Sequence, residues 1–224
     1  MGTIKQDLIP STNSNRPGTP LTPTHITVHE TANTSIGANA AMHAAYVKGQ
    51  DAQNRQVSWH YTVDDRETIQ HLPTNEVGWH AGRAGNAASI GIELCVNRDG
   101  NFAQTRASAV ALIQHLMSEL GIGVANVVTH QHWTGKNCPA NLLNDWARFK
   151  EELSGGSNLP RRVRVISSQL WVYNRPDWNA RYTIVNQGEV FTVDSALTVN
   201  GSTMYRLRSG LYITGNTQFV ELLY

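Results

Sequence analysis

Apolar and polar residues alternate along Ser89-Ile-Gly-Ile-Glu-Leu-Cys-Val96, so Ile90, Ile92, Leu94 and Val96 share one face of a predicted strand and Gly91, Glu93 and Cys95 the other. His25 to Glu30 alternates likewise: Ile26 and Val28 oppose Thr27 and His29, the period of a half-buried strand that turns His29 toward a cleft. In Ser58 to Val63, Trp59, Tyr61 and Val63 oppose His60, and Glu67 to Leu72 supplies the hairpin partner. Helical spacing intervenes. Met42, Ala45 and Tyr46 mark a helix over 36 to 48, with Gly49 as its left-handed stop. Val110, Ile113, Met117 and Leu120 mark another over 107 to 120, ended by Gly121, and Leu142, Trp146, Phe149 and Leu153 a third. Val127 to His130 returns to strand character and delivers His130 at its end. Strands alternating with helices up to residue 153 predict an α/β domain with a mixed central sheet flanked by helices.

The flanks read differently. Residues 1 to 24, rich in Ser, Thr, Asn and Pro, are expected to form an extended lead-in, with ordered structure starting at His25. Ser154-Gly-Gly-Ser-Asn158 has linker composition. Beyond Arg161, short apolar runs at 163–166, 170–173, 182–185, 190–193, 204–207 and 219–223 are separated by Gly, Asn, Pro and Asp, which predicts a small β-barrel. The expected organisation is a catalytic domain over 1–153, a linker over 154–160 and an all-β domain over 161–224.

Charge narrows the partners. The net charge is +1 and 16% of residues are charged, which gives neither a nucleic-acid footprint nor a disordered polyampholyte. No apolar run is long enough to cross a bilayer, and the first residues lack the pattern of a secretory signal, so the expectation is a protein made in the cytoplasm without membrane insertion, either released to its target or retained inside the cell; a monomer is expected. Met1-Gly2 alone makes no case for myristoylation. With two cysteines, Cys95 and Cys138, one disulfide is conceivable but a disulfide framework is not.

The densest chemistry lies in Thr129-His-Gln-His-Trp-Thr-Gly-Lys-Asn-Cys-Pro139. With His29 upstream, it offers three zinc ligands, His29, His130 and Cys138, and three protein ligands with a fourth position open describe a hydrolytic rather than a structural site. A His and Cys donor set favours zinc over harder divalent ions. His132, two residues on, competes with His130 as the ligand, since either can be counted from Cys138. Cys138 has two competing readings, a buried thiol or a partner for Cys95. Glu93, a carboxylate in an apolar strand, suits proton transfer if desolvation raises its pKa, or else is a structural carboxylate bonded to backbone or Lys136. Lys136 stands two residues before Cys138, close to the proposed metal, and is available to stabilise an oxyanion.

Taken in order, ITVHET around His29, GWHAG around His80, SIGIEL at 89–94 and HQHWTGKNCP at 130–139 resemble the zinc N-acetylmuramoyl-L-alanine amidases related to peptidoglycan recognition proteins and phage lysozyme-amidases, over about residues 20 to 150. The resemblance implies one zinc on His29, His130 and Cys138, with Glu93 and Lys136 as the catalytic pair. It makes His80 a substrate contact and Trp59, standing where relatives without the glutamate place a tyrosine, core or substrate wall. The tail resembles the SH3-type cell-wall-binding domains of phage lysins, in which Trp171, Tyr173, Trp178 and Tyr182 could stack on wall glycans if they are not core. The implied protein is an endolysin-like hydrolase of bacterial peptidoglycan that cleaves between N-acetylmuramic acid and L-alanine with zinc-activated water, acting on the wall after release from the host cytoplasm. A non-catalytic peptidoglycan receptor and a zinc peptidase acting within the stem peptide are the alternatives.

Overall fold

The computed structural model describes residues 3–154, 160 and 162–223, and the chain divides into two compact units, Met1–Gly155 and Gly156–Tyr224. Most of the expected linker at 154–160 lies outside the described residues.

The first unit runs β1 (Ile4–Gln6), β2 (His25–Glu30), α1 (Ala40–Lys48), α2 (Gln50–Asn54), β3 (Tyr61–Val63), β4 (Thr68–Gln70), α3 (Gly82–Ala88), β5 (Ser89–Leu94), α4 (Phe102–Leu120), β6 (Val127–Thr129), α5 (His130–Thr134) and α6 (Trp146–Leu153). Its sheet has the order β1-β4-β3-β5-β2-β6 and is parallel apart from the β3–β4 hairpin. One face is a conventional core: Ile26, Val28, Ile90, Ile92 and Leu94 pack with Leu112, Ile113 and Leu116 of α4 and Phe149 and Leu153 of α6. The opposite face carries Thr27, His29, Gly91 and Glu93. Register places His29 beside Glu93, and Glu93 beside Thr62, at the carboxyl ends of parallel strands, where open α/β sheets bind ligands.

Several expectations need correction. Strand β2 is buried on both faces after its first residue, because a central parallel strand is covered on both sides. Helix α1 starts at Ala40, capped by the Asn39 side chain, and buries Ala40, His43, Ala44 and Val47, which leaves Met42 and Tyr46 facing the cleft. Gly49 after it is extended (φ −78°), not left-handed. Helix α4 begins at Phe102, five residues ahead of the expected start, because Asn101 caps it by accepting from the Gln104 N–H. The largest correction concerns residues 3–24, which are packed rather than an extended lead-in. Strand β1 joins the sheet, and Ile9, Asn15 and Leu21 are buried. Asn15 donates to the carbonyls of Val47 and Val57, and Arg16 grips the Glu76 carboxylate with two N–H groups and the Ile9 carbonyl with a third. A polar segment can line a core when its side chains satisfy buried carbonyls.

Two histidines are built into this unit as neutral rings. His60 accepts from the Gly91 N–H at Nδ1 and donates from Nε2 to the Glu76 carbonyl, both at 2.9 Å. His71 meets the Thr62 hydroxyl at 2.9 Å, and that hydroxyl takes the Trp59 indole N–H at 2.7 Å. Burial is the main force pushing both imidazoles down to about 4. Unfolded, each ring takes up a proton near 6.5, so between about 4 and 6.5 the unfolded chain binds more protons, and stability falls as pH falls through that window. At pH 5 the cost is at most about 2 kcal/mol per ring. In Glu93→Gln, which removes a buried carboxyl that titrates in the same window with the opposite sign, the melting temperature is therefore expected to be lower at pH 5 than at pH 7 by on the order of ten degrees. A thermal melt of that variant unchanged between those two pH values would contradict it.

The second unit is all antiparallel: β7 (Arg162–Val165), β8 (Gln169–Tyr173), β9 (Arg181–Asn186), β10 (Val190–Val199), β11 (Ser202–Leu207), β12 (Tyr212–Thr214) and β13 (Val220–Leu223), in the sheet order β13-β7-β10-β11-β12-β8-β9. Val163, Val165, Val172, Leu207, Ile213 and Val220 fill its core. Of the four aromatics read as either a stacking surface or core, Tyr182 is exposed, at 60%. Trp171, Tyr173 and Trp178 are partly buried: the Arg181 guanidinium lies over Trp171, and Trp178 donates to the Val199 carbonyl.

Candidate metal centre and catalytic cleft

The segment after β6 folds back on itself for local reasons. The Thr129 side chain caps α5 by accepting from the His132 N–H. Gly135, at φ 78°, ends that helix in the left-handed conformation, which lets the chain reverse. The Gln131 N–H then donates to the Cys138 carbonyl, and the Cys138 N–H to the Lys136 carbonyl, so the thiol returns beside His130. Glu30 locks the return from the other side. Its carboxylate accepts from the backbone N–H groups of Asn141 and Leu142 and from the Asn141 amide, while its own N–H points to the Cys138 sulfur.

His29 and His130 thus meet Nδ1 to Nδ1 at 3.1 Å, and Cys138 Sγ lies 3.7 Å from His29 Nδ1. All three ligand atoms fall within 4.8 Å of one another, and all three residues are buried. Tetrahedral zinc with its usual bond lengths separates two nitrogen ligands by about 3.3 Å and a nitrogen from a sulfur by about 3.5 Å. The donor set fits zinc in both spacing and chemistry. His132 is exposed and packs between His25 and Trp133, outside this cluster. Cys95 and Cys138 are both free, and Cys95 Sγ lies 3.8 Å from His43 Nδ1.

A cavity of about 620 Å³ opens over the cluster, and its lining includes Tyr46, Arg55, Trp79 and Asn86. Glu93 faces it. Among the described residues, Glu93 Oε2 is buried with no hydrogen-bond partner, and burial is the main force raising its carboxyl to about 7; Lys136 pulls it down and Glu30 pushes it up. Lys136 is exposed at the rim, yet its charge also lowers the pKa of His29, His130 and Cys138. Burial dominates at the thiol and lifts it to about 11. An orphaned carboxylate oxygen, a cation and three converging soft donors in one cleft can polarise a carbonyl and move a proton beside it.

The two residues expected to touch substrate are largely occupied. Trp59 is 7% exposed, spends its N–H on Thr62 and stacks on Tyr46, so it offers the cleft only ring surface. His80 borders the cavity, but both its nitrogens are engaged inside the protein, with His29 Nε2 at 3.0 Å and the Ser89 carbonyl at 3.3 Å. The sequence reading missed Glu30. It is a carboxylate next to a ligand histidine in an apolar strand, the same signal that singled out Glu93.

The family profile described as N-acetylmuramoyl-L-alanine amidase matches residues 19–141. The chain is 44% identical to N-acetylmuramoyl-L-alanine amidase XlyA of Bacillus subtilis, over 94% of this chain and 74% of that one. The endolysin of Bacillus phage SPP1 is 61% identical over 53 residues, 24% of this chain and 20% of the phage protein. Among solved structures, the catalytic domain of XlyA superposes with a TM-score of 0.65 at 54% identity, covering 68% of this chain and 99% of that domain.

Proposed function

Since the chain belongs to the N-acetylmuramoyl-L-alanine amidase family and is a peptidoglycan hydrolase of that class, we propose that its cleft hydrolyses the amide between the lactyl group of N-acetylmuramic acid and L-alanine, with zinc as the resident metal. The observation that carries this reading is the convergence of His29 Nδ1, His130 Nδ1 and Cys138 Sγ beside the partnerless oxygen of Glu93.

His29, His130 and Cys138 would hold the ion. When bound, zinc supplies a Lewis-acidic centre that acidifies water and polarises a carbonyl. Glu93 takes the proton of the attacking water at Oε2 and delivers it to the leaving L-alanine nitrogen. A carboxyl raised to about 7 is matched to both halves of that transfer near neutral pH. Lys136 places its ammonium at the rim, where the carbonyl oxygen gains charge. The buried walls around Glu93 keep competing water from its free oxygen and strengthen each of these interactions. The second unit, an all-antiparallel domain with Tyr182 exposed on an edge strand, holds the enzyme on polymeric wall and raises its local concentration there.

Digestion of purified cell walls, with the new amino termini identified, tests the reading. N-terminal alanine that appears with the parent, stops on chelation and returns with zinc is the expected result. A different new amine would mean a peptidase of the stem peptide, and wall binding with no new amine a receptor.

A further inference from the structure

Resting on the zinc reading above, we propose that His80 is a positioning residue: it fixes His29 as the tautomer protonated at Nε2, so that the Nδ1 lone pair of His29 faces the metal position.

Ser89 O lies 3.3 Å from His80 Nε2 and can only accept, so that nitrogen carries the proton. Packed edge-on against the rings of His29 and His60, with no carboxylate among its ring partners, His80 stays neutral and its Nδ1 is bare. Nδ1 sits 3.0 Å from His29 Nε2 and therefore accepts that group's proton. His29 Nδ1 is then left with a lone pair, aimed at the space shared with His130 Nδ1 and Cys138 Sγ. Every N–H in the relay points away from the metal position.

The rest of the neighbourhood holds this relay in place. The Asn86 side-chain oxygen accepts from the backbone N–H groups of His80 and Ala81, at 2.8 and 2.7 Å, which sets the approach of the imidazole. Gly91 lies directly under the ring: a β-carbon there would stand 2.7 Å from His80 Cγ, closer than packed atoms tolerate. This explains the glycine within the otherwise bulky Ser89–Leu94 strand. The acceptor itself is anchored, because Trp133 Nε1 donates to Thr27 Oγ1, Thr27 Oγ1 to Ser89 Oγ, and Ser89 Oγ to the Gly85 carbonyl. An imidazole whose far nitrogen is hydrogen-bonded in this way is held in orientation and made a better donor, and losing such a partner typically weakens metal binding by about 10–100-fold.

The test is zinc affinity, by competition with a chromophoric chelator, for the parent and for His80→Ala, His80→Asn, His80→Gln and Gly91→Ala, each first confirmed folded by circular dichroism. His80→Ala is expected to bind zinc about 10–100-fold more weakly. His80→Asn, whose amide oxygen falls where Nδ1 was, should restore affinity to within a few fold, whereas His80→Gln should not. Gly91→Ala, which leaves the imidazole but displaces it, should weaken binding in the same direction. Equal losses for alanine and asparagine, or a folded His80→Ala that binds like the parent, would overturn the proposal. Nitrogen-15 spectra of the metal-free parent give a second reading: His29 protonated at Nε2, with that preference lost in His80→Ala. A parent that takes up no zinc yet shows this tautomer pattern would defeat the metal reading and uphold the His80 assignment. A parent with His29 protonated at Nδ1 would defeat the assignment itself.

Discussion

Cys138→Ala is expected to leave the protein folded, without stoichiometric zinc, and no more active on cell walls than a buffer control. The thiol is one of three donors converging within 4.8 Å, and structural zinc sites built from four Cys and His ligands typically share about 10–16 kcal/mol of binding free energy among those ligands. Loss of one thiolate removes roughly a quarter to a third of that, enough to weaken zinc by at least about a hundredfold. The two surviving imidazoles still approach each other at 3.1 Å, but nothing replaces the anionic ligand. In the metal-free protein the thiol is protonated, since burial lifts it to about 11, so zinc uptake must release a proton and should weaken as pH falls. Cys95→Ala is the control. That thiol is buried beside His43, outside the ligand cluster, and its loss should leave zinc content and rate within a few fold of the parent. Metal content by atomic emission, read beside the release of N-terminal alanine, decides the matter. One zinc per chain and undiminished rate in Cys138→Ala would remove the cluster from the mechanism.

Glu93→Gln should separate proton transfer from metal binding. Glutamine keeps the shape and one oxygen but cannot accept a proton, so zinc stays bound while the maximal rate falls by about 10²–10⁴-fold. The parent needs Glu93 as a carboxylate, so its rate should decline as pH falls through the pKa of that group. That pKa is about 7 in the metal-free protein, and a cation bound beside it moves the acid limb lower. The limb should be absent from the glutamine variant.

Stability gives an independent reading of the same group. In the folded metal-free protein the carboxyl titrates above its ordinary value of 4.5, so between 4.5 and about 7 the folded state holds more protons than the unfolded one. Stability therefore drops as pH rises through that window, opposite in sign to the contribution of His60 and His71. Glutamine removes the penalty and should raise the melting temperature of the metal-free protein at pH 8. A glutamine variant with parental rate, or one that loses its zinc, would show that Glu93 is not the proton carrier.

How much was legible beforehand follows from where each signal came from. The alternation in Ser89–Leu94 and His25–Glu30 reports a local property, the period of an extended chain, and it correctly put Glu93 and His29 on the face opposite the apolar core. The spacing within Thr129 to Pro139 is local as well, because a capped five-residue helix and one left-handed glycine suffice to bring Cys138 back toward His130. Pattern did worse with the packed polar segment at 3–24. Its burial depends on carbonyls at Val47 and Val57, more than thirty residues away, and on Glu76, sixty residues away. Such contacts leave no periodicity.

The sequence by itself therefore determined the α/β alternation, the switch to short strands after the Gly-Gly segment, and the residue types with which metal and proton chemistry can be done. Tertiary structure alone decided their mutual arrangement. It set the register that lines up His29 with Glu93, the reach of Glu30 across to residues 141 and 142, and the occupation of both His80 nitrogens by groups 51 and 9 residues away. The physical reason is that a side chain's type and period are written in its near neighbours along the chain, whereas its hydrogen-bond partner is chosen by whichever backbone folding brings against it.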